Sequence, residues 1–233
     1  MKHNVWMSVS DLMTGLMVIF LFIAISYIRK VQKNQNVLIE YVETKTKLHD
    51  KLVKEFEGDT SRWQMTIGKD LSMRFNNPQV LFASGQANLT PAFQQILDEF
   101  LPKYFSILLN DSLRSKIVEI RIEGHTDDVP APQFDSDAYI ANVILSQQRS
   151  LSVLRHFRSM PEFTKYSEKE KKLLEYWFTV NGLSYGKSVD NEGNYTIESD
   201  NPIDKDRSRR VEFRIVTSGE DVLVNFVNEL EKK

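Results

Sequence analysis

The longest apolar stretch of the chain contains an aspartate, the first residue whose setting suggests chemistry. Residues 5–28 form 24 positions with Asp11 as the only charge, and residues 12–28 carry none. At about 1.5 Å per residue the longer stretch spans about 36 Å, more than a hydrocarbon core of about 30 Å. This length predicts one transmembrane helix. A carboxylate there costs about 2.5–3.5 kcal/mol, so Asp11 needs a structural or functional reason.

Two reasons for Asp11 remain open on spacing alone. Ser8 with Asp11 three residues later fits a capping box at a helix start, where an acid also complements the helix dipole. Alternatively, Asp11 binds an ion, because membrane carboxyls serve in proton relays. Ser8, Asp11, Thr14 and Gly15 recur at helical spacing and form a small, polar stripe suited to close helix packing. One helix cannot enclose a proton path, so ion transport requires a multi-span partner subunit.

A second candidate site combines an acid and an arginine on neighbouring elements. Gly124-His125-Thr126-Asp127-Asp128 follows a predicted strand, and Leu145-Ser146-Gln147-Gln148-Arg149 lies on the next predicted helix. A carboxylate can pair with an ammonium while a guanidinium binds a carboxylate bidentately, so the pair suits a zwitterion. The alternative is a mutual surface salt bridge worth about 0–1 kcal/mol, which spacing alone favours.

Composition excludes several classes of function. With 30 basic and 32 acidic residues the chain lacks the basic excess of a nucleic-acid binder, so we expect no direct nucleic-acid partner. The 14 Phe, 8 Tyr and 3 Trp supply a core, and zero cysteines exclude disulfides and thiolate metal sites. The four histidines show no metal-ligand spacing, and no nucleophile context is present. We therefore expect no cofactor, no metal, no catalytic residue and no enzymatic activity.

The chain is predicted to divide into a tip and transmembrane helix (1–28), a helical linker (29–62) and a globular domain (63–233). A cleaved signal peptide is the alternative for the first segment, but the apolar run exceeds the usual 7–15 residues and contains an acid. Three basic residues follow the apolar segment, namely Arg29, Lys30 and Lys33, whereas Lys2 alone precedes it. Positive charges favour the cytoplasmic side, so this bias predicts that the C-terminal side lies in the cytoplasm.

The linker carries heptad spacing that predicts a short parallel coiled coil between two copies. Six of its nine seam positions are apolar; the seams are Ile28, Gln35, Val42, His49 and Phe56, and Val31, Leu38, Lys45 and Leu52. The alternatives are a solvated amphipathic helix and a helix packed on the partner.

The domain alternates strand and helix patterns. We expect a hairpin over 63–75, strands at 80–82, 117–123, 178–180 and 211–215, a helix beginning at Thr90-Pro91, and helices over 137–158, 169–176 and 222–230. Strands separated by helix-length segments predict an α/β fold, namely a two-layer sandwich with a mixed sheet.

Several motifs resemble the OmpA-like peptidoglycan-binding domains over roughly residues 75–217. They are residues 82–89, Ile122-Glu123-Gly124-His125-Thr126-Asp127, Leu145-Ser146-x-x-Arg149, Gly182-x-x-x-Gly186 and Arg207-x-Arg209-Arg210-Val211-Glu212. The resemblance implies that Asp127 and Arg149 hold the diaminopimelate of a peptidoglycan stem peptide, and that Thr126 helps to shape the pocket.

The N-terminus is similar to stator B subunits, of the flagellar MotB type and of the Zorya anti-phage defence system. Trp6, Asp11 and the run Ser10-Asp11-Leu12-Met13-Thr14-Gly15-Leu16-Met17 carry this resemblance. It implies that Asp11 binds the transported ion, expected to be a proton, and that a homodimer assembles with a multi-span ZorA/MotA-like subunit. It also implies an inner-membrane, single-pass protein with a cytoplasmic N-terminus and a periplasmic domain. This orientation is opposite to the one that the basic residues flanking the span predict.

Three functions follow from these observations. The leading prediction is an ion-conducting stator subunit anchored to peptidoglycan and acting in anti-phage defence, with a flagellar stator as the variant. A passive membrane-to-wall tether, with Asp11 as a cap, is the second. A wall hydrolase is the third and has the least support.

Overall fold

The structure is a computed structural model that describes residues 3–220 and 223, with side chains from residue 9 onward. It divides into two units, residues 1–43 with 219–233, and residues 44–218. The predicted helix over 222–230 lies outside the described residues, apart from position 223. The boundaries predicted at residues 28 and 62 stay a prediction.

One long helix, α1 (His3–Phe56), opens the chain. Its N-terminal part is long and apolar enough to cross a membrane, and none of that apolar window is buried against protein. Because the helix already includes His3, Ser8 and Asp11 lie inside it rather than at its start. The capping-box interpretation of these two residues is therefore wrong.

The last turns of α1 belong to the core of the second unit. Leu48, Leu52 and Phe56 are fully buried there. Leu52 and Phe56 are two of the predicted seam positions, so this part of the seam packs within its own chain. Over residues 28–42 the predicted seam positions are outside this core, and Ile28 and Val42 are about half exposed; pairing of two copies there stays a prediction.

The second unit is built on a five-stranded mixed sheet, as predicted. The strands are β1 (Met65–Ile67), β2 (Ser72–Phe75), β3 (Ile117–Gly124), β4 (Phe178–Gly182) and β5 (Val211–Thr217). Their order is β1-β2-β5-β3-β4, and only the pair of β3 and β4 is parallel. The expected hairpin over 63–75 is the pair of β1 and β2.

The remaining elements are helical. They are α2 (Pro78–Leu81), α3 (Pro91–Leu108), α4 (Asp111–Arg114), α5 (Ala138–Ser159), α6 (Pro161–Lys165), α7 (Glu168–Trp177) and α8 (Lys205–Ser208). The strand predicted at 80–82 is wrong, because Asn77 caps a helical turn with Pro78 at its first position. Phe82 makes only an isolated bridge to Leu89. The helix at Thr90 is confirmed, with the Thr90 side chain accepting the Phe93 N–H.

The two faces of the sheet differ in character because strand side chains alternate. One face is apolar and lies in the core with α3, α5 and the end of α1; it includes Phe75, Ile120, Ile122, Phe213 and Ile215. The opposite face presents charged residues, namely Arg74, Glu119, Arg121, Glu123, Glu212 and Arg214. This is the predicted two-layer arrangement, and it brings the C-terminal end of β3 close to α5.

Candidate functional site

Asp127 lies on the loop that follows β3 and is almost completely buried. The residue is 4% exposed, and its Oδ1 accepts the backbone N–H of Val129 at 3.1 Å. Oδ2 accepts a hydrogen bond from Nη1 of Arg209 at 3.0 Å. The loop is anchored by two backbone bonds, from His125 N to Arg210 O and from Thr126 N to Ser184 O, each 3.0 Å. The carboxylate is therefore held in a fixed position.

Arg149 reaches the same region from α5. It is 6% exposed, its Nε donates to the Gln86 carbonyl at 2.9 Å, and its guanidinium lies 4.9 Å above the ring of Phe82. It forms no salt bridge with any residue that the structure describes. Burial lowers the pKa of Arg149 to about 10; the charge of Asp127 opposes this shift and that of Arg209 adds to it. The surface salt bridge considered for Asp127 and Arg149 is wrong, since both are buried and Asp127 pairs with Arg209.

These side chains line one cavity of about 250 Å³. Thr126 lines it too, and its buried Oγ1 has no hydrogen-bond partner among the described residues. Its apolar lining comes mainly from α2, the residues after it and the loop after Asp127; it includes Pro78, Leu81, Phe82, Val129, Pro130 and Ala131. The structure thus brings together the three residues predicted to bind the stem peptide, in a pocket lined by both charged and apolar side chains.

Two glycines explain how α5 comes so close to the strands. A Cβ on Gly182 would lie 2.5 Å from the backbone nitrogen of Gln147, and a Cβ on Gly124 would overlap the backbone of Ser146. Ser146 and Ser150 then tie the helix to β4 and the residues after it: Ser150 Oγ donates to the carbonyl of Asn181 in β4 at 3.0 Å, and Ser184 N donates to Ser146 Oγ at 3.1 Å. These backbone contacts set the spacing between Asp127 and Arg149.

A buried ionic cluster lies beneath the loop. Glu123 and Glu212 face each other across β3 and β5, and Nε2 of His125 lies 3.9 and 3.7 Å from their carboxylates. Burial, followed by the charge of Arg210, holds the pKa of His125 well below its usual value, so the imidazole is neutral. Arg210 Nε donates to Glu212 at 2.6 Å, and Arg74 lies 3.2 Å from the same oxygen.

The same trio could in principle hold a metal, because its ligand atoms lie within 4.8 Å of one another. Sequence reasoning missed this cluster, since it considered spacing among histidines and two of the three residues are glutamates on separate strands. Two guanidinium groups already neutralise Glu212, which opposes the addition of a divalent cation. The trio lies directly beside the loop that carries Asp127 and is held by hydrogen bonds and ion pairs to arginine.

Asp11 lies on the exposed surface of the apolar part of α1. It forms no side-chain hydrogen bond or ion pair with any residue that the structure describes. Thr14, one turn later, donates its hydroxyl to the Ser10 carbonyl at 2.9 Å. The carboxylate thus lies on a helix surface that a partner helix could cover, and its role as ion ligand stays a prediction.

Comparison with solved structures places the fold. A MotB-like protein from Desulfovibrio vulgaris superposes with a TM-score of 0.50 at 21% identity, covering 76% of this chain and 97% of that one. The cell wall anchor of the T6SS from Pseudomonas aeruginosa gives a TM-score of 0.45 at 19% identity, covering 72% and 97%. No protein-family model matches the chain. The sheet and the helices packed on it therefore have the fold of this MotB-like protein.

A curated relative narrows this class. The Zorya protein ZorB from Escherichia coli (strain ATCC 8739) is 34% identical over 230 residues, which cover 96% of this chain and 92% of the relative. The chain therefore belongs to the ZorB family.

Proposed function

We propose that this chain is the ion-conducting, wall-anchored B subunit of an anti-phage stator. One observation carries the proposal: the same chain holds Asp11, which has no side-chain partner among the described residues, in the apolar part of α1, and a buried acid–arginine pocket in a domain with a MotB-like fold. The first suits an ion that crosses the membrane, and the second suits a fixed attachment point. Membership of the ZorB family supplies the defence setting.

Asp11 binds and releases a proton at the interface with a multi-span ZorA-like partner. The helix surface around Asp11 is small and polar on one side, so another helix can approach closely. Two copies pair along residues 28–42 of α1, where the seam remains exposed. Each elementary charge that crosses the membrane supplies about 2.3 kcal/mol per 100 mV to the partner's movement.

The domain binds peptidoglycan through the pocket. Asp127 pairs with the free ammonium of a diaminopimelate stem, Arg149 with the neighbouring carboxylate, and Thr126 offers its unpaired hydroxyl. Because peptidoglycan lies in the periplasm, the domain faces that side and the N-terminus is cytoplasmic. The positive charges after the span would by themselves favour the opposite orientation. Large domains can be translocated despite such charges.

Proton conduction is tested by Asp11→Asn in membranes that also contain the A-type partner, with Met13→Leu as a volume-matched control in the same helix. We expect Asp11→Asn to abolish proton flux and phage resistance while leaving sedimentation with purified sacculi unchanged. Asp127→Asn should instead abolish sedimentation. Normal flux and resistance in Asp11→Asn would support a passive tether instead.

The flagellar assignment is the second candidate, favoured by the MotB-like fold alone. It predicts that the chain restores swimming to a strain that lacks its own B subunit. We expect phage resistance without restored swimming.

A further inference from the structure

A second cavity lies on the charged face of the sheet, on the other side of Arg210 from the pocket that holds Asp127. Its volume is about 450 Å³, which is within the range of ligand sites. The side chains that line it come from β1, β2, the loop over residues 189–195 and α8; they include Thr66, Arg74, Asn76, Tyr195, Arg207 and Arg210. None of the described residues that line this second cavity is acidic. Arg210, directly before β5, lines both cavities.

The loop that lines the second cavity is held in one conformation by its own hydrogen bonds. Oδ1 of Asp190 accepts the backbone N–H groups of Glu192 and Asn194, each at 2.9 Å. Oδ2 of Asp190 accepts the side-chain amide of Asn201 at 3.0 Å. Gly193 has a φ of +92°, a conformation that glycine adopts without steric cost. This wall of the second cavity is therefore formed without a ligand.

The guanidinium groups of the second cavity are already paired with carboxylates that lie outside its lining. The pairs are Arg210 with Glu212 at 2.6 Å, Arg74 with Glu212 at 3.2 Å and with Asp70 at 3.3 Å, and Arg207 with Asp204 at 3.6 Å. The second cavity therefore needs no anion to balance its charge. A guanidinium carries more N–H donors than these pairs use, so Arg74 and Arg207 keep donors for a ligand.

The lining is complementary to a neutral ligand that is rich in oxygen acceptors. Nε of Arg74 is buried and makes no hydrogen bond within the described part of the chain. The ring of Tyr195 lies 5.2 Å from the ammonium of Lys187 and adds an apolar surface that ends in a hydroxyl. Saccharides match this combination, because they carry hydroxyl and amide oxygens around an apolar ring face.

We propose that the second cavity binds the N-acetylated sugar backbone of peptidoglycan, with Arg74 and Arg207 as donors and Tyr195 as a stacking surface. This inference rests on the proposed wall binding for the source of the sugar. Because Arg210 lines both cavities, one wall fragment can occupy both. The stem enters the pocket that holds Asp127, and the sugar that carries the stem lies in the second cavity. A stem of three residues spans up to about 10 Å between them.

An uncharged disaccharide without a stem tests the second cavity by itself. The full chain in detergent micelles is titrated with N,N′-diacetylchitobiose, and binding is followed by ligand-observed NMR. We expect Tyr195→Ala to weaken saturable binding at least about threefold, the size of one lost aromatic contact, and Tyr195→Phe to retain it. Tyr176→Ala is the matched control, because Tyr176 is 75% exposed on α7 and does not line the second cavity.

A pair of wall fragments tests whether one ligand uses both cavities. The fragments are L-Ala-γ-D-Glu-meso-diaminopimelate and the same tripeptide attached to N-acetylglucosaminyl-N-acetylmuramic acid. We expect the attached sugar to tighten binding about tenfold in the unaltered chain, because the second contact is then intramolecular. In Tyr195→Ala the two fragments should differ less than about twofold.

The outcomes separate this inference from the proposed function. If diacetylchitobiose did not bind, or bound Tyr195→Ala as well as the unaltered chain, the sugar site would be overturned while stem binding stood. Binding of diacetylchitobiose without binding of the tripeptide would overturn the stem pocket and leave the sugar site. Circular dichroism verifies that Tyr195→Ala folds. Arg207→Gln, at a side chain that is about half exposed, is the second variant and should weaken diacetylchitobiose binding as well.

Discussion

Glu123 is the residue whose surroundings conflict most with its charge. It lies directly opposite Glu212 across two strands, is 7% exposed and has no salt bridge to a lysine or arginine among the described residues. Burial, together with the charge of Glu212, raises the pKa of Glu123 above its usual value. The folded protein therefore holds that proton more strongly than the unfolded chain.

This conflict predicts a pH-dependent gain of stability in Glu123→Gln. The pKa of Glu123 is higher in the folded protein than in the unfolded chain, so protonation of Glu123 stabilises the fold. This stabilisation is fully present below the ordinary pKa of 4.5 and is lost as the pH rises through the pKa of the folded protein. At pH 7 the substitution should stabilise the domain by roughly 0.2–1 kcal/mol, the usual size of a like-charge cross-strand penalty, and at pH 4 it should change little. Thermal unfolding from pH 4 to 8 measures this.

Glu119→Gln is the control for that experiment. Glu119 lies on the same strand face but is paired with Arg121 and Thr179, at 2.9 and 2.6 Å. We expect Glu119→Gln to lower the stability of the domain at pH 7. If the stability gained in Glu123→Gln did not grow with pH, the raised pKa of Glu123 would be contradicted.

Residue chemistry also shows what the sequence could predict of the site. Asp127 stands in a motif directly after a strand and Arg149 in a motif on the next helix, so their proximity could be predicted from the order of the elements. Their role in binding was implied by the family resemblance and stays a prediction. Arg209 stood in a motif as well, yet its pairing with Asp127 joins positions 82 residues apart. That contact depends on β5 lying beside β3, and nothing local in the sequence indicates it.

At the scale of elements, the close contact between α5 and the strand ends determines the pocket. Gly182 and Gly186 share one motif but differ in surroundings: a Cβ on Gly182 would meet the backbone of α5 at 2.5 Å, whereas the nearest atoms to one on Gly186 lie at 3.5 Å. The former distance is incompatible with a side chain unless backbones separate, and the latter is ordinary van der Waals contact.

Gly182→Ala should therefore destabilise the domain by about 1–3 kcal/mol. It should also weaken sedimentation with sacculi, because the added Cβ pushes α5, and Arg149 with it, away from Asp127. Gly186→Ala should leave both properties close to normal. Thermal unfolding and sacculus sedimentation of the two variants measure this difference. Equal effects of the two substitutions would show that the Gly182 contact does not set the pocket.

Sequence patterns predicted most elements but misjudged two. Strand alternation and helix caps identified the hairpin, β3, β4, β5, α3, α5 and α7. The helical turn that begins at Pro78 was mistaken for a strand. The predicted strand had only three residues, too few to show a period, and the capping role of Asn77 was overlooked. Leu52 and Phe56 were assigned to a seam between chains, because heptad spacing cannot say whether the apolar partner belongs to a second copy or to the same domain.

At the scale of the whole molecule, the absence of cysteine makes pairing of two copies directly measurable. A single introduced cysteine can form a disulfide only with its counterpart in another copy. Gln35→Cys lies on the predicted seam, whereas Lys33→Cys lies at nearly the same height on another face of α1. We expect oxidative cross-linking in membranes for Gln35→Cys and much less for Lys33→Cys. Equal yields would contradict a parallel seam over residues 28–42.

The glycine contacts beneath the pocket have an evolutionary consequence. Where backbone touches backbone, the distance between two elements is set by atomic radii, and a change of side chain cannot adjust it in small steps. In the proposed binding role, substitutions in the loops after α2 and after β3, which supply apolar lining to the pocket, can change ligand preference gradually. The backbone contacts fix the separation of Asp127 from Arg149, so substitutions elsewhere in the domain should leave the length of the proposed ligand unchanged.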